Sequence, residues 1–158
     1  MLYRDFLKMD RQFESAVNLG LDLNKYKKIE EYIPTDSSVK VLKQYLSSIE
    51  DEKADRATVL IGPYGKGKSH LLLILCALVG MPLEKEENVQ VLNRLIDNIE
   101  KQDVEAAILA RNIISNKKRL MPVIINGGYG DLQQTFLVAL KEALERENIE
   151  GITPNTYY

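Results

Sequence analysis

Apolar and polar residues follow a helical period along most of the chain. From Thr35 onward, several hydroxyl and carboxylate side chains suited to capping a helix precede Leu42, Tyr45, Leu46 and Ile49. The i, i+3, i+4, i+7 spacing of these four residues places them on one face of a helix. The pattern therefore predicts an amphipathic helix that packs its apolar face against a core.

The same reasoning predicts further helices on both sides of this one. Residues 3–18 carry a broken apolar stripe, and the nine consecutive apolar residues 71–79 predict a buried helix that stops near Gly80 and Pro82. Asp131 is suited to capping a last helix that runs to about Arg146. The expected core faces of the last three helices are Leu92, Leu95, Ile96 and Ile99; Val104, Ala107, Ile108 and Ile114; and Leu132, Phe136, Leu137, Leu140 and Leu144.

Two short apolar runs predict strands. Residues 57–61 are rich in β-branched and apolar side chains, and residues 120–125 form a second such run with Pro122 near its start. Between the first run and the buried helix, residues 62–69 read Gly-Pro-Tyr-Gly-Lys-Gly-Lys-Ser, a complete Walker A phosphate-binding loop. A strand, a glycine-rich loop and a helix in this order are the context that the motif requires.

The residue types of this loop suit a nucleoside triphosphate. Glycines lack a Cβ, so the backbone can take positive φ and bring its N–H groups close to phosphate oxygens. We expect a helix that begins near Lys68 to direct its N–H groups and dipole at the phosphates, with the Lys68 ammonium between the β and γ phosphates and the Ser69 hydroxyl on Mg²⁺. The predicted nucleotide-binding residues are Gly62, Pro63, Tyr64, Gly65, Lys66, Gly67, Lys68, Ser69 and His70.

ATP and Mg²⁺ are therefore the expected cofactors. No Asn-Lys-x-Asp motif of the kind that reads guanine occurs in the sequence, which favours ATP over GTP. The alternative is a glycine-rich turn, or a degenerate loop, that binds no nucleotide. His70, the one histidine, is expected to pack beneath the loop, and Cys76, the one cysteine, to be a small core residue. One histidine and one cysteine form no zinc or haem site.

Composition and charge give few hints about partners. The net charge of −2 offers no global attraction to nucleic acid or to anionic membranes. The cluster at residues 117–119 favours a solvated helix end over a phosphate-contacting patch. Charged residues leave no continuous apolar region near the N-terminus, which argues against a signal peptide. The longest apolar run in the sequence is far shorter than the ~20 residues that a membrane-spanning helix needs. We expect a cytoplasmic protein with no membrane association.

These elements predict an α/β fold, the AAA+-like three-layer sandwich of P-loop NTPases. The sequence would supply only the N-terminal part of that fold, which is rich in helices and has about two parallel strands. Because such a sheet normally has more strands, we expect residues 35–158 to be the N-terminal part of a larger ATPase domain that continues past Tyr158. Residues 1–34 are interpreted as an N-terminal extension. A self-contained small domain is the alternative.

The sequence offers no convincing acidic partner for the metal ion. Phosphoryl transfer needs a second acidic residue on Mg²⁺, usually at the end of an apolar strand, and a group that orients the nucleophile. The second predicted strand ends in Asn126, and Asp131 is better explained as a helix cap. The chain thus lacks a recognisable Walker B segment, and ATP hydrolysis is expected only of a full-length form.

Residues 32–78 resemble the start of large prokaryotic P-loop ATPases of the AAA+ type, in particular those of phage-defence systems such as BREX. Three features support this resemblance. Residues 61–71 match the Gly-x-Tyr/Phe-Gly-x-Gly-Lys-Ser/Thr-His form of the loop, and Ile33-Pro34-Thr35 precedes the helix that leads into the first predicted strand. A helical insert then separates the phosphate-loop helix from the second predicted strand. The resemblance implies adenine contacts from Tyr32, Ile33 and Pro34, for which a simple hydrophobic entry turn is an equal alternative. The resemblance also implies homo-oligomers, defence-complex subunits and DNA as possible partners. In the family these associations depend on segments that this sequence lacks.

Two other functions compete with an ATPase. The first is an interaction module that binds ATP and changes its partner preference without hydrolysing it. The lack of a recognisable catalytic carboxylate in the sequence favours this function. A small P-loop kinase would need an acceptor-binding carboxylate after the second strand and a basic lid, for which Asn126, Asp131, Arg111 and Arg119 are weak substitutes. The sequence alone does not separate these functions.

Overall fold

The computed structural model of the chain describes residues 16–51, 54, 57–116, 119–127 and 131–151. Within these ranges the chain forms helices joined by turns and extended segments. The helices are α1 (Leu19–Asp22), α2 (Tyr26–Glu30), α3 (Asp36–Glu50), α4 (Lys68–Gly80), α5 (Glu86–Glu100), α6 (Val104–Ser115) and α7 (Leu132–Arg146).

Helix α4 is the apolar centre of the fold. Most of its side chains after the first turn are buried, among them Leu71, Leu73, Ile74 and Leu78. Four other helices pack around it: α1, α2, α3 and α6 all contact α4, while α6 also packs along α3 and α5. The buried helix predicted from residues 71–79 is confirmed, because a helix that is apolar on every side needs neighbours on every side.

Helices α3 and α5 follow their predicted faces. In α3, Leu42 and Leu46 are fully buried, and Thr35 forms a capping box with Ser38, in which each side chain accepts a hydrogen bond from the other residue's backbone N–H. In α5 the predicted face is buried throughout. The periodic pattern predicted these buried faces correctly because each helix turns a single apolar stripe toward the core.

The core faces of α6 and α7 differ in part from the prediction, although Ala107 and Leu144 are buried as expected. Val104 and Ile108 of α6 are about half exposed, whereas Ala106, Ala110 and Ile113 are buried. Small alanine side chains allow α6 to approach α3 and α5 closely, so the helix turns its alanines and Ile113 toward the core and leaves Val104 and Ile108 at the surface. In α7 the buried residues are Ala139, Ala143 and Leu144, while Leu132 and Phe136 lie at the exposed side.

The predicted α/β sandwich is wrong for the part of the chain that the structure describes, which contains no β-strand. Residues 57–61 and 120–125 have the apolar composition of strands but run without a ladder of paired backbone groups. Val59 and Ile61 are 80% and 91% exposed, so the first run is not buried either. A strand exists only when a neighbouring strand accepts and donates its hydrogen bonds, and composition alone does not supply that neighbour.

The residues before α3 belong to the same packed body as the rest. The N-terminal helix predicted over residues 3–18 lies outside the described residues except at 16–18, which precede α1. Helix α1 contacts α4, and α2 contacts α4 and α5. Ile29 of α2 is fully buried in the common core. None of the described helices is long and apolar enough to cross a membrane.

Candidate phosphate-binding site

Two glycines of the loop adopt the left-handed conformation. Gly65 has φ +77° and Gly67 has φ +75°, and a Cβ at either position would meet no described atom within 4 Å. The backbone conformation, not a lack of space, is therefore what requires glycine at these positions. Gly62 lies outside the left-handed region.

The loop leads directly into α4. Gly67 is the N-cap residue, and its carbonyl oxygen accepts the first helical hydrogen bond from the Leu71 N–H at 2.9 Å. The first N–H groups of a helix have no acceptor within the helix, and the dipole adds positive potential there. The predicted helix start at Lys68 is confirmed, and this end of α4 suits an anion.

The ammonium of Lys68 bends back over the loop. Its Nζ donates hydrogen bonds to the carbonyl oxygens of Gly62 at 2.8 Å and Pro63 at 2.7 Å. An ammonium has three N–H donors. The third has no partner among the described residues, so Lys68 can hold the loop and contact an anion together.

A cavity of about 500 Å³ opens between the loop and α2. It is lined by residues 64–70 and by Ala16, Val17, Lys28 and Glu31. The Glu31 side chain is only 10% exposed, and its Oε1 lies 3.7 Å from the Lys27 ammonium. At that distance the pair makes no hydrogen bond, and within the described residues Oε1 has no other hydrogen-bond partner. Glu31 is therefore a lining residue of the loop cavity with a buried, unsatisfied acceptor.

His70 connects the loop to α2 and to the start of α3. Its Nε2 donates to the Lys28 carbonyl oxygen at 2.6 Å, and its ring packs against the ring of Tyr32. The Tyr32 hydroxyl donates in turn to Ser38 Oγ at 2.8 Å. Burial raises the pKa of Tyr32 above its ordinary value, although the Ser38 hydrogen bond opposes this. His70 thus packs beneath the loop as expected.

The residues expected at the adenine do not line this cavity in the part of the chain that the structure describes. Tyr32 reaches the loop only through His70, while Ile33 is exposed and Pro34 is half-buried. Asp131 caps α7 through a hydrogen bond from the Gln134 N–H at 3.2 Å. Arg119 pairs with Glu147 and donates to the Gly80 carbonyl oxygen; its neighbours at 117 and 118 lie outside the described residues.

Lys28 and Glu31 are the site residues that the sequence did not reveal. They belong to the stretch interpreted as an N-terminal extension, where Lys28 lies in α2 and Glu31 caps its end, and α2 is only five residues long. So short a helix shows no periodicity that would indicate which of its side chains faces a partner. Only the packing of α2 against α4 brings them to the loop.

A metal site built from protein side chains alone is not found. No group of three His, Cys, Asp or Glu residues suited to a metal occurs within the described ranges. Magnesium bound to a nucleotide needs fewer ligands from the protein, because it keeps several waters and takes oxygens from the phosphates. Ser69 is exposed at the loop, so its hydroxyl can supply one such protein ligand.

Comparison with known proteins gives no match: no family model fits the sequence, and no curated protein or solved structure is similar to it at a significant level. The case for a nucleotide site therefore depends on the loop itself. Its sequence, its backbone conformation and the cavity beside it are the three observations available.

Proposed function

We propose that this chain binds Mg·ATP through residues 62–69. The observation that carries the proposal is a complete Walker A sequence whose Gly65 and Gly67 are left-handed and whose last glycine caps a helix that begins at Lys68. Local sequence and local conformation agree here, although the surrounding fold is helical. An anion at this helix end is favoured by the unpaired N–H groups and by the dipole.

Each residue of the loop has a defined task in this proposal. Backbone N–H groups of residues 65–69 surround the β phosphate, and the third N–H of Lys68 donates to a phosphate oxygen. The Ser69 hydroxyl contributes one ligand to Mg²⁺, and phosphate oxygens and water supply the others. The bound ion neutralises part of the triphosphate charge.

Glu31 gives the same cavity a preference for adenine. Its Oε1 is a buried acceptor without a hydrogen-bond partner among the described residues. The exocyclic amino group of adenine is a donor, whereas guanine carries a carbonyl oxygen at the same ring position. A carboxylate at this amino group accepts from adenine and is repelled by the guanine carbonyl oxygen, whereas a carboxylate at N1–H and N2–H of guanine would accept from guanine instead. The proposal places Glu31 at the adenine amino group, in line with the lack of an Asn-Lys-x-Asp motif in the sequence.

A nucleotide-gated interaction module is the second candidate function. In the described part of the chain, Glu31 is the one carboxylate that lines the loop cavity, and the proposal uses it for the base. Among the described lining residues no carboxylate is then left to hold Mg²⁺ and activate water, as hydrolysis requires. We therefore assign binding to this chain. Hydrolysis, oligomers, a role in prokaryotic defence and a cytoplasmic location remain expectations from the sequence and the resemblance.

Calorimetric titration of Mg·ATP into the chain tests the proposal. Lys68→Ala should weaken binding by at least about tenfold, because it removes a charge-assisted hydrogen bond. Lys66→Ala removes an equal charge from the same loop and should change Kd by less than about threefold. Equal weakening by both variants would indicate nonspecific attraction, and a folded wild-type chain that binds no Mg·ATP would contradict the proposal.

A further inference from the structure

Tyr64 is an almost fully exposed aromatic side chain within the phosphate loop. It is 96% exposed, and it is one of the residues that line the loop cavity. Within the described chain its ring makes no aromatic contact, since the one pair of rings found there joins Tyr32 to His70. The ring of Tyr64 therefore has no part in the packing of the core, and its faces are accessible to a ligand.

The backbone on both sides of Tyr64 has a defined conformation. The carbonyl oxygen of the preceding residue, Pro63, accepts a hydrogen bond from Lys68 Nζ at 2.7 Å. The following residue, Gly65, is left-handed at φ +77°. Because Lys68 is the residue assigned to the phosphates, its hydrogen bond to Pro63 ties the base of the Tyr64 side chain to the phosphate site.

The residues that line the loop cavity are of two kinds. The N–H groups and ammonium of the loop suit phosphate oxygens, whereas Ala16, Val17 and Tyr64 are apolar. Two described lining residues carry a ring, and that of His70 is already packed against Tyr32. A nucleotide divides in the same way, because its phosphates are anionic and its base is a flat ring with two apolar faces. The free ring of Tyr64 therefore matches the base.

We propose that Tyr64 stacks on the base of the bound nucleotide. This inference rests on the proposed function, since it concerns the base of the nucleotide whose phosphates the loop binds. Every base has a π face, so stacking on an aromatic ring adds affinity without selecting among bases. Tyr64 thus contributes affinity for any nucleoside triphosphate, whereas Glu31 contributes the preference for adenine.

Titration calorimetry with Mg·ATP and Mg·tripolyphosphate tests this contact, because tripolyphosphate has the phosphates without the nucleoside. Tyr64→Leu keeps an apolar side chain but loses the ring. It should weaken Mg·ATP and Mg·GTP equally, by about tenfold, and should leave Mg·tripolyphosphate within about twofold of wild type. Tyr64→Phe keeps the ring and should restore the affinity for Mg·ATP.

The outcomes separate this inference from the proposed function. A folded wild-type chain that binds neither ligand would contradict the phosphate site, and the stacking contact with it. If Mg·tripolyphosphate binds and Tyr64→Leu leaves the affinity for Mg·ATP unchanged, only the stacking contact is wrong. Equal weakening of both ligands by Tyr64→Leu would place the side chain at the phosphates instead. A loss in Tyr64→Phe as large as in Tyr64→Leu would assign the contact to the hydroxyl, which also overturns stacking.

A tryptophan substitution reports the contact directly. The sequence contains no tryptophan, so Tyr64→Trp places the single indole of the chain in the loop. Its emission should change saturably with Mg·ATP and much less with Mg·tripolyphosphate, because stacking on a base alters indole fluorescence. Leu132→Trp is the matched control, since Leu132 is 74% exposed at the start of α7 and does not line the loop cavity. Its emission should respond to neither ligand. Equal responses of Tyr64→Trp to both ligands would overturn the inference.

Discussion

The imidazole ring of His70 packs edge-on against the phenol ring of Tyr32, with ring centroids 5.2 Å apart and ring planes at 73°. His70 lies in the first turn of α4, and Tyr32 is anchored through its hydroxyl to Ser38 in the first turn of α3. The contact therefore joins the beginnings of two core helices directly below the phosphate loop. The position of the loop should depend on it.

Replacing Tyr32 tests this dependence. Tyr32→Leu removes the ring contact, which is worth about 0.5 to 1.5 kcal/mol for an aromatic pair, and should raise the Kd for Mg·ATP about twofold to tenfold. Tyr32→Phe keeps the ring and loses only the hydroxyl contact with Ser38, so its affinity should stay close to wild type. Titration calorimetry on both variants gives the comparison. If Tyr32→Leu bound Mg·ATP as tightly as Tyr32→Phe, the ring contact would not position the loop.

Glu31→Gln should reduce the preference for ATP over GTP. A glutamine amide offers both a donor and an acceptor, so it can face either base, whereas the carboxylate only accepts. We expect the ratio of the two affinities to fall about tenfold. Glu30→Gln is the control, because Glu30 is the last residue of α2, directly before Glu31, and pairs with Arg94. A ratio unchanged by Glu31→Gln would remove Glu31 from the base site.

Gly80→Ala should destabilise the fold. A Cβ at Gly80 would lie 2.7 Å from both Cδ and Cγ of Pro122 and 3.1 Å from the Leu120 carbonyl oxygen. The helix would have to move away from residues 120–122, at a cost of about 1 to 3 kcal/mol. This outweighs the gain of about 0.5 to 1 kcal/mol from replacing glycine by alanine in a helix.

Gly127→Ala is the matched control for Gly80→Ala, because a Cβ at Gly127 meets no described atom within 4 Å. Urea denaturation should place this variant within about 0.5 kcal/mol of wild type. If Gly80→Ala were equally stable, the close approach of α4 to residues 120–122 would be incorrect.

Asp22 should make stability depend on pH in the acid range. Its carboxylate accepts hydrogen bonds from the Lys25 ammonium at 2.7 Å and from the Asn18 N–H at 2.8 Å, and these two contacts lower the pKa of Asp22. Because the folded pKa lies below the unfolded value, the carboxylate stabilises the fold above about pH 4, and this contribution is lost as the pH falls through the folded pKa.

Asp22→Asn should therefore lower stability by about 1 kcal/mol at pH 7 and flatten the loss of stability below about pH 4. Thermal unfolding followed from pH 7 to pH 3 measures both effects. Asp97→Asn changes an exposed carboxylate on α5 and should have little effect at either pH. A pH profile identical to wild type in Asp22→Asn would contradict the assignment.

Sequence predicted the elements whose signals are local. Thr35 and Asp131 cap α3 and α7 as expected, and the left-handed glycines of the loop lead into α4 at Lys68. The strands were predicted wrongly, because residues 57–61 have the composition of a strand while pairing depends on a neighbour elsewhere. The face of α6 was only partly predicted: Ala107 is buried and Ile114 packs against the core, but Val104 and Ile108 are exposed. Alanines favour close helix packing, which a search for large apolar residues overlooks. Glu31 was missed because only tertiary packing brings α2 to the loop.

The most direct test of the central claim is amide chemical-shift mapping of the ¹⁵N-labelled chain during titration with Mg·ATP. The backbone N–H groups of Gly65, Gly67, Lys68 and Ser69 should show the largest saturable shifts, and Lys68→Ala should abolish them at the same nucleotide concentration. If these four amides stay unshifted while nucleotide binds elsewhere, or if no amide shifts at all in the folded chain, residues 62–69 do not form a phosphate-binding site.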